Sequence, residues 1–408
     1  MSGGRDRRPT QRRVPRAQHP ALGLAIVCAG ALLGPLDTSV NVAFPAITAA
    51  FGLALAEIQW VVVPFVLAQS VLTIAFGRLG DLYGHRRVFA VGMAACALTH
   101  LAAGFAPDFG WLVALRVLQG IAVGLAVSCA PALATLLFPP QEKRRILGVY
   151  VTLFSLGLAL GPLAGGALVG WLGWPGVFWF RVPIALGVLL LLPLLADVRA
   201  SDVATSDAVR LEAAIPRISP LRTPRFAGVQ LASTVVNLAC FSILLLIPYA
   251  LAARPGSSIE AAGALLSLFP GGSLLGGVAG GRLTHRASAT GLMLAGLATA
   301  GAGLLLTAAS VTTYRSLPLG AALALTGFGL GLFQVGYMDA TTSMLPASER
   351  GVAGSLVTVT RSLGIVLGAT GISALHTALG SLPWTIATMG AALLAFTGAA
   401  LLGRRAGR

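Results

Sequence analysis

Apolar residues in this chain come in long runs separated by short charged breaks, and that pattern leaves few folds open. A helix needs about 20 apolar residues to cross the hydrocarbon core of a bilayer, and a helix that does so satisfies its own backbone hydrogen bonds. Read in those units, spans fall at 21–49, 57–77, 87–105, 109–137, 145–171 and 175–196, then at 225–252, 259–281, 289–309, 316–344, 351–374 and 382–402. Composition agrees, because 56% of residues are hydrophobic and 10% are charged, where a soluble domain is roughly a quarter charged. The expected fold class is an all-α polytopic membrane protein with twelve transmembrane helices.

The polar breaks divide the chain into an Arg-rich tail at 1–20, a first six-helix bundle at 21–196, a linker at 197–224, a second bundle at 225–403 and a short tail at 404–408. Basic residues gather on one side: the N-terminal arginines, the 78–87 break, Lys143 to Arg145, the linker, Arg282 and Arg286, Arg350, and the final arginines. The other side offers Arg254 and Arg315, with Arg181 near the membrane face. Since Arg and Lys favour the cytoplasmic side, both termini and the linker are expected there. The formal net charge of +15 is then a topology signal, and nucleic acid is not an expected partner. The run from Ala21 is too long for a secretory leader and reads as an uncleaved first helix. Lys143 stands alone among many arginines, which points to a GC-rich bacterial genome; the expected location of such a multi-pass chain is the bacterial inner membrane.

Glycines and prolines repeat between the halves. Gly120, Gly124, Pro139, Glu142, Gly157 and Gly161 recur at one constant offset as Gly327, Gly331, Pro346, Glu349, Gly364 and Gly368. Two pseudo-symmetric six-helix bundles follow, an arrangement that puts a site at their interface near the bilayer midplane. Cys28, Cys96, Cys129 and Cys240 lie in apolar runs without metal or redox spacing. No phosphate-binding Gly-x-x-x-x-Gly-Lys-Ser/Thr loop is present. Neither metal, cofactor nor enzyme activity is expected.

Asp37 lies inside the first span, where a carboxylate costs about 2.5–3.5 kcal/mol on insertion scales. Asn41 and Pro45 follow at spacings of four, so this face is expected to line an aqueous cavity. Arg116 in the fourth span is the natural counter-ion. Either the pair exchanges in a proton-coupling cycle, desolvation raising a carboxylate's pKa and an arginine lowering it, or it is a static link between two helices. Other polar or aromatic cavity candidates are Gln69, Gln119, Asn237, Tyr249, Gln334, Tyr337 and Asp339. Arg361 has a gating or a packing role, and Arg181 is read as snorkelling to the headgroups.

Four stretches carry a family resemblance. The break Gly77-Arg78-Leu79-Gly80-Asp81-Leu82-Tyr83-Gly84-His85-Arg86-Arg87 resembles the Gly-x-Leu-Ala-Asp-Arg-x-Gly-Arg-Arg loop of major facilitator superfamily transporters, with Gly80 replacing Ala. Leu36 to Pro45 resembles the first-helix signature of the superfamily's drug:proton antiporter branch, and Arg116-Val117-Leu118-Gln119-Gly120 resembles its Arg-x-x-Gln-Gly motif. Gly157, Gly161, Pro162, Gly165 and Gly166 match the antiporter motif Gly-x-x-x-Gly-Pro-x-x-Gly-Gly, which implies export. Ordinary small-residue packing explains the same glycines. The departures are twelve spans where the branch usually has fourteen, Arg181 where it has Asn, and His285 where a second copy of the loop would hold an aspartate.

The resemblance implies a proton-coupled exporter of lipophilic or cationic small molecules; protons, a small-molecule substrate and the lipid bilayer are the expected partners, and a monomer is the expected state. A dedicated exporter of one metabolite and a non-transporting sensor on the same fold are the alternatives. It also implies a gating role for Gly77, Asp81, Gly84, Arg86 and Arg87. Asp81→Asn is expected to slow transport while leaving substrate affinity nearly unchanged, as read from flux and binding on the same preparation; full-rate transport would reduce the loop to a topology signal.

Overall fold

The computed structural model describes residues 20–194, 223–313, 315–345 and 350–406. The Arg-rich tail, nearly all of the 197–224 linker, and the last two residues of the 404–408 tail lie outside the described residues. All regular structure among the described residues is helical.

The first apolar run is not one helix. It divides into α1 (Pro20–Ala31), a 3-10 turn (Pro35–Thr38), α2 (Ser39–Val42) and α3 (Phe44–Phe51). Pro35 begins the turn and Pro45 lies in the first turn of α3. A proline has no N–H to give to the preceding turn, so a helix breaks or restarts there. The next spans are α4 (Gln59–Tyr83), α5 (His85–Ala103), α6 (Phe109–Leu136) and α7 (Lys143–Leu172). The sixth run divides into α8 (Gly176–Trp179) and α9 (Arg181–Leu191). The second half holds α10 (Pro224–Ala252), α11 (Ile259–Leu283), α12 (Ala289–Val311), α13 (Ser316–Met344), α14 (Arg350–Leu379) and α15 (Leu382–Ala406).

Helical stretches thus occupy all twelve expected places. By length and apolarity ten spans qualify among the described residues, or 11 with α4 taken as one bent span. α5 has 19 residues and opens on His85-Arg86-Arg87, which dilutes its apolar window. Large apolar side chains such as Trp171 and Leu317 are more than four-fifths exposed, an arrangement suited to lipid and not to water.

The 78–87 segment is not a loop. α4 continues to Tyr83 and α5 starts at His85, leaving Gly84 alone between them at φ +91°. That conformation favours glycine. Asp81 therefore stands on the last turn of α4, its side chain 70% exposed, with Oδ1 3.1 Å from His85 Nε2. A Cβ on residue 80 would overlap the His85 ring, so glycine in place of the family's alanine leaves room for that imidazole.

Glycine sets how closely the helices pack. A methyl group on Gly120 of α6 would meet the Phe65 carbonyl of α4, and one on Gly327 of α13 would overlap the Phe269 carbonyl of α11. Gly331 repeats the relation against the Ser273 carbonyl, while Gly124 faces the Phe76 ring of α4 first and the Gln69 carbonyl beyond it. The sequence repeat is thus a repeat of contacts, with the fourth helix of each half backed onto the second. One apolar core joins α1, α5, α6 and α9 around Phe89, Met93 and Val123. Another spans both halves, with Phe44, Val61 and Leu112 on one side and Ile243, Leu266 and Phe333 on the other.

Gly331→Ala would drive a methyl group into the Ser273 carbonyl, whereas Gly277→Ala meets nothing within 4 Å. The first is expected to destabilise by about 1–3 kcal/mol, and the second to be neutral or stabilising through helix propensity. Thermal unfolding of the two variants in detergent, side by side, measures the difference.

Candidate functional site

Asp37 occupies the 3-10 turn between α1 and α2, and that turn rests on the glycine stripe of α7. A Cβ on Gly157 would meet Leu32 and Pro35, one on Gly161 would overlap Thr38, and one on Gly165 would meet the backbone of Ser39. The Thr38 hydroxyl also donates to the Leu158 carbonyl at 3.1 Å. Small residues here let a short irregular segment lie against a straight helix, so the antiporter-motif glycines form the bed of the acid. α7 runs continuously through Pro162.

Two guanidinium groups hold the carboxylate. Arg116 donates from Nη1 to Asp37 Oδ1 at 2.8 Å and from Nη2 to Oδ2 at 2.6 Å, a bidentate fork. Arg181 donates from Nη1 to Oδ1 at 2.7 Å. Both arginines are 1% exposed, and the Asp37 side chain is 16% exposed. Arg116 is fixed further by bonds from Nε to the Val61 carbonyl (2.6 Å) and from Nη1 to Gln119 Oε1 (2.9 Å), with its guanidinium 4.1 Å from the Phe65 ring centroid. Gln119 in turn donates to the Thr99 carbonyl at 3.2 Å. Arg181 Nη2 donates to the Leu36 carbonyl (3.1 Å) and to Ser39 Oγ (2.9 Å).

His100 completes the cluster. Its Nδ1 lies 2.7 Å from the Cys96 carbonyl and its Nε2 lies 3.0 Å from Arg181 Nη1. A carbonyl only accepts and a guanidinium only donates, so Nδ1 carries the proton and Nε2 accepts. The imidazole is therefore neutral. Two cations then face one carboxylate in a buried site, which carries a net positive charge.

Several expectations need correction. Arg181 does not snorkel; it opens α9 and reaches inward to the acid. A charge inside a span normally faces the bundle interior and pairs there, the rule that singled out Asp37, and it identifies Arg181 as well. Gln119 is fully buried and orients Arg116, so it does not line a cavity. Asn41 is buried at 7% exposure and takes no part in the Asp37 network; the break at residues 35–39 removes the regular spacing that put the two on one face. His100 and Ser39 lie beside Thr99 and Thr38 in apolar runs, and no local spacing links either to Arg181.

The remaining candidates disperse. Tyr249 OH lies 2.6 Å from Thr48 Oγ1, tying the end of α10 to α3 at the side opposite the described chain ends of α1 and α15. Gln69 is partly exposed on α4, and Gln334 and Asp339 are exposed on α13. Asn237 and Tyr337 belong to a second, neutral polar cluster. Tyr337 OH donates to Gln230 Oε1 at 2.6 Å, Thr360 Oγ1 lies 2.9 Å from Tyr337 OH and 3.1 Å from Ser233 Oγ, and Asn237 donates to the Ser233 carbonyl at 2.8 Å.

The halves meet at three levels. Thr48 and Tyr249 join at one end. Gly166 of α7 packs on Ile259 and Gly263 of α11, where a side chain on either glycine would strike backbone. Midway, Ser70 of α4 and Ser362 of α14 are hydrogen-bonded at 2.5 Å.

Removing one member of a buried charge pair typically costs about 3–5 kcal/mol, but Arg181→Gln removes the surplus cation and leaves Asp37 in its fork with Arg116. The variant is therefore expected to be less destabilised than Arg116→Gln, which leaves the carboxylate without that fork. Denaturation midpoints of the two purified variants, compared with the parent, test the order.

The sequence pattern of the Major Facilitator Superfamily matches residues 26–369. A tetracenomycin C resistance and export protein of Streptomyces glaucescens is 31% identical over 405 residues, covering 85% of this chain and 74% of that protein. A cephamycin export protein of Amycolatopsis lactamdurans is 38% identical over 170 residues, covering 41% of this chain and 35% of that protein. Among solved structures, a bacterial homologue of the lysosomal transporter Spinster in an inward-facing, unoccupied conformation has a TM-score of 0.73 at 19% identity, over 93% of this chain and 94% of that one. The D-xylose-proton symporter has a TM-score of 0.72 at 16% identity, over 91% and 96%. The helical architecture, the glycine-backed pseudo-repeat and these matches agree: the chain belongs to the major facilitator superfamily of membrane transporters.

Proposed function

We propose that the protein exports a lipophilic small molecule across a bacterial inner membrane in exchange for protons, working as a monomer with both termini in the cytoplasm. The observation that carries this reading is Asp37, a carboxylate set deep in a membrane span among two guanidiniums and a neutral imidazole. A coupling acid has to sit away from bulk water and experience different surroundings in different states. Three charge-assisted bonds end on Asp37 in the present arrangement, and an arriving proton has to displace at least one of them. Proton uptake therefore belongs to a second arrangement, in which the arginines and the 3-10 turn have separated.

Export is supported by the antibiotic resistance and export functions named for the relatives. Contacts at Thr48–Tyr249 and Gly166–Gly263 close the seam on the side that the arginine asymmetry assigns to the exterior, which leaves the substrate to enter from the cytoplasm. Asp81, on the protruding end of α4, serves in switching rather than binding, since its side chain faces water. The cationic substrates that the family resemblance implies are not favoured by a site where two guanidiniums face one carboxylate.

Asp37→Asn mimics the protonated acid permanently. Accumulation against a gradient in everted vesicles should be lost at matched expression, while downhill exchange of substrate persists. Asp37→Glu, which restores the charge, should recover part of the uphill activity. Undiminished proton-driven accumulation by the Asn variant would move the coupling role elsewhere, with Asp339 the next carboxylate to examine.

A further inference from the structure

The second half contains a cation that the ion-paired site does not use. Arg361 lies on α14, five residues inside the apolar span that begins at Leu356. Its neighbours fix where it faces. Thr360 bonds Tyr337 of α13 and Ser233 of α10, whereas Ser362 bonds Ser70 of α4. Successive residues of a helix are rotated by about 100°, so Arg361 lies on the arc between those two contact directions. Val359, Leu363 and Leu367, all more than two-fifths exposed, mark the opposite, lipid-facing side. Arg361 thus faces the seam between the halves, partly buried.

No described residue gives it a hydrogen bond or an ion pair. Apart from Asp37, which is already shared by two arginines, every described carboxylate stands in the end turns of a helix or in a connection. A guanidinium in a membrane interior without a protein counter-ion is strongly disfavoured, and intramembrane charges of this kind mark substrate or ion pathways. Three guanidiniums against one carboxylate also give the interior a field that attracts anions.

We propose that Arg361 is the counter-ion for an anionic group on the transported molecule, a carboxylate, enolate or sulfonate on an apolar body. The planar guanidinium fork matches such groups in two-point geometry. The inference rests on the export reading and narrows its substrate class from lipophilic molecules in general to lipophilic anions.

The test separates binding from flux. Binding of radiolabelled 2-naphthoate and of its neutral isostere 2-naphthamide is measured on the full chain in detergent, for the parent, Arg361→Gln and Arg361→Lys. The parent should prefer the anion by about tenfold or more. Arg361→Gln should lose that preference with naphthamide binding unchanged, and Arg361→Lys should keep part of it. Equal binding of both probes by the parent, absence of binding included, overturns the proposal, as does a preference that survives in Arg361→Gln. Flux in everted vesicles, run with naphthoate and with the cation ethidium, reports on export independently. An anion preference that depends on Arg361, without flux of either probe, upholds the anion site and removes the export reading. Ethidium flux with no anion preference does the reverse.

Discussion

The structure depends on one electrostatic constraint, a carboxylate placed where water cannot solvate it. Asp37 is tolerable in the membrane interior because three charge-assisted bonds from two arginines reach it. Each arginine is tolerable because carbonyls, Ser39 and the side chains of Gln119 and His100 take up most of its other donors. Arg181 Nε is the exception, buried without a partner. In a low-dielectric interior such networks are stable when nearly complete and costly when broken. The arrangement is therefore discrete, and moving it means exchanging one set of bonds for another.

Glycine makes that network geometrically available. A 3-10 turn is more tightly wound than the helix it interrupts, with poorer hydrogen-bond geometry, and this one lies close against the surface beside it. Gly157, Gly161 and Gly165 supply that surface on α7, against Leu32, Pro35, Thr38 and Ser39. In the second half Gly364 and Gly368 pack in the same way on the unbroken α10, near Asn237 and Phe241. The two halves thus share a packing scheme, yet only the first breaks its opening helix and carries an acid there. The second half has neutral hydroxyl and amide groups in place of the ion network, and Arg361, its one deep cation among the described residues, stands on a different helix.

Much of this was legible in the sequence, because a bilayer forces apolar runs to a fixed length and charges to a purpose. The twelve stretches, the pairing of Asp37 with Arg116 and the small-residue stripe of α7 follow from those two rules. The breaks at Pro35 and Pro45 were visible as prolines but were outweighed by an apolar run that continued across them. Arg181 was misjudged because two rules compete at the end of a span: a long cation can reach the headgroups, or it can turn inward to an acid. That choice depends on the start of α9 lying beside the 3-10 turn that holds Asp37, which is tertiary information. Tyr249 shows a similar limit, since its partner Thr48 lies in the other half and no local pattern links them.

Every bond of the Asp37 network lies within the first half: Val61, His100, Arg116, Gln119 and Arg181 are all on α4 to α9. Rocking the halves as rigid bodies leaves those bonds intact, so the surroundings of the acid change only if motion at the seam also distorts the first half. The two meet on α7. One stretch of that helix carries Gly161 and Gly165 against Thr38 and Ser39, and the adjoining Gly166 packs against Gly263 of α11. Because the Gly165–Ser39 and Gly166–Gly263 contacts are backbone to backbone, they have no flexible side chain to absorb a displacement. A shift of α11 along α7 therefore bears directly on the segment that positions Asp37, and the glycine stripe connects the opening of the seam to the environment of the carboxylate.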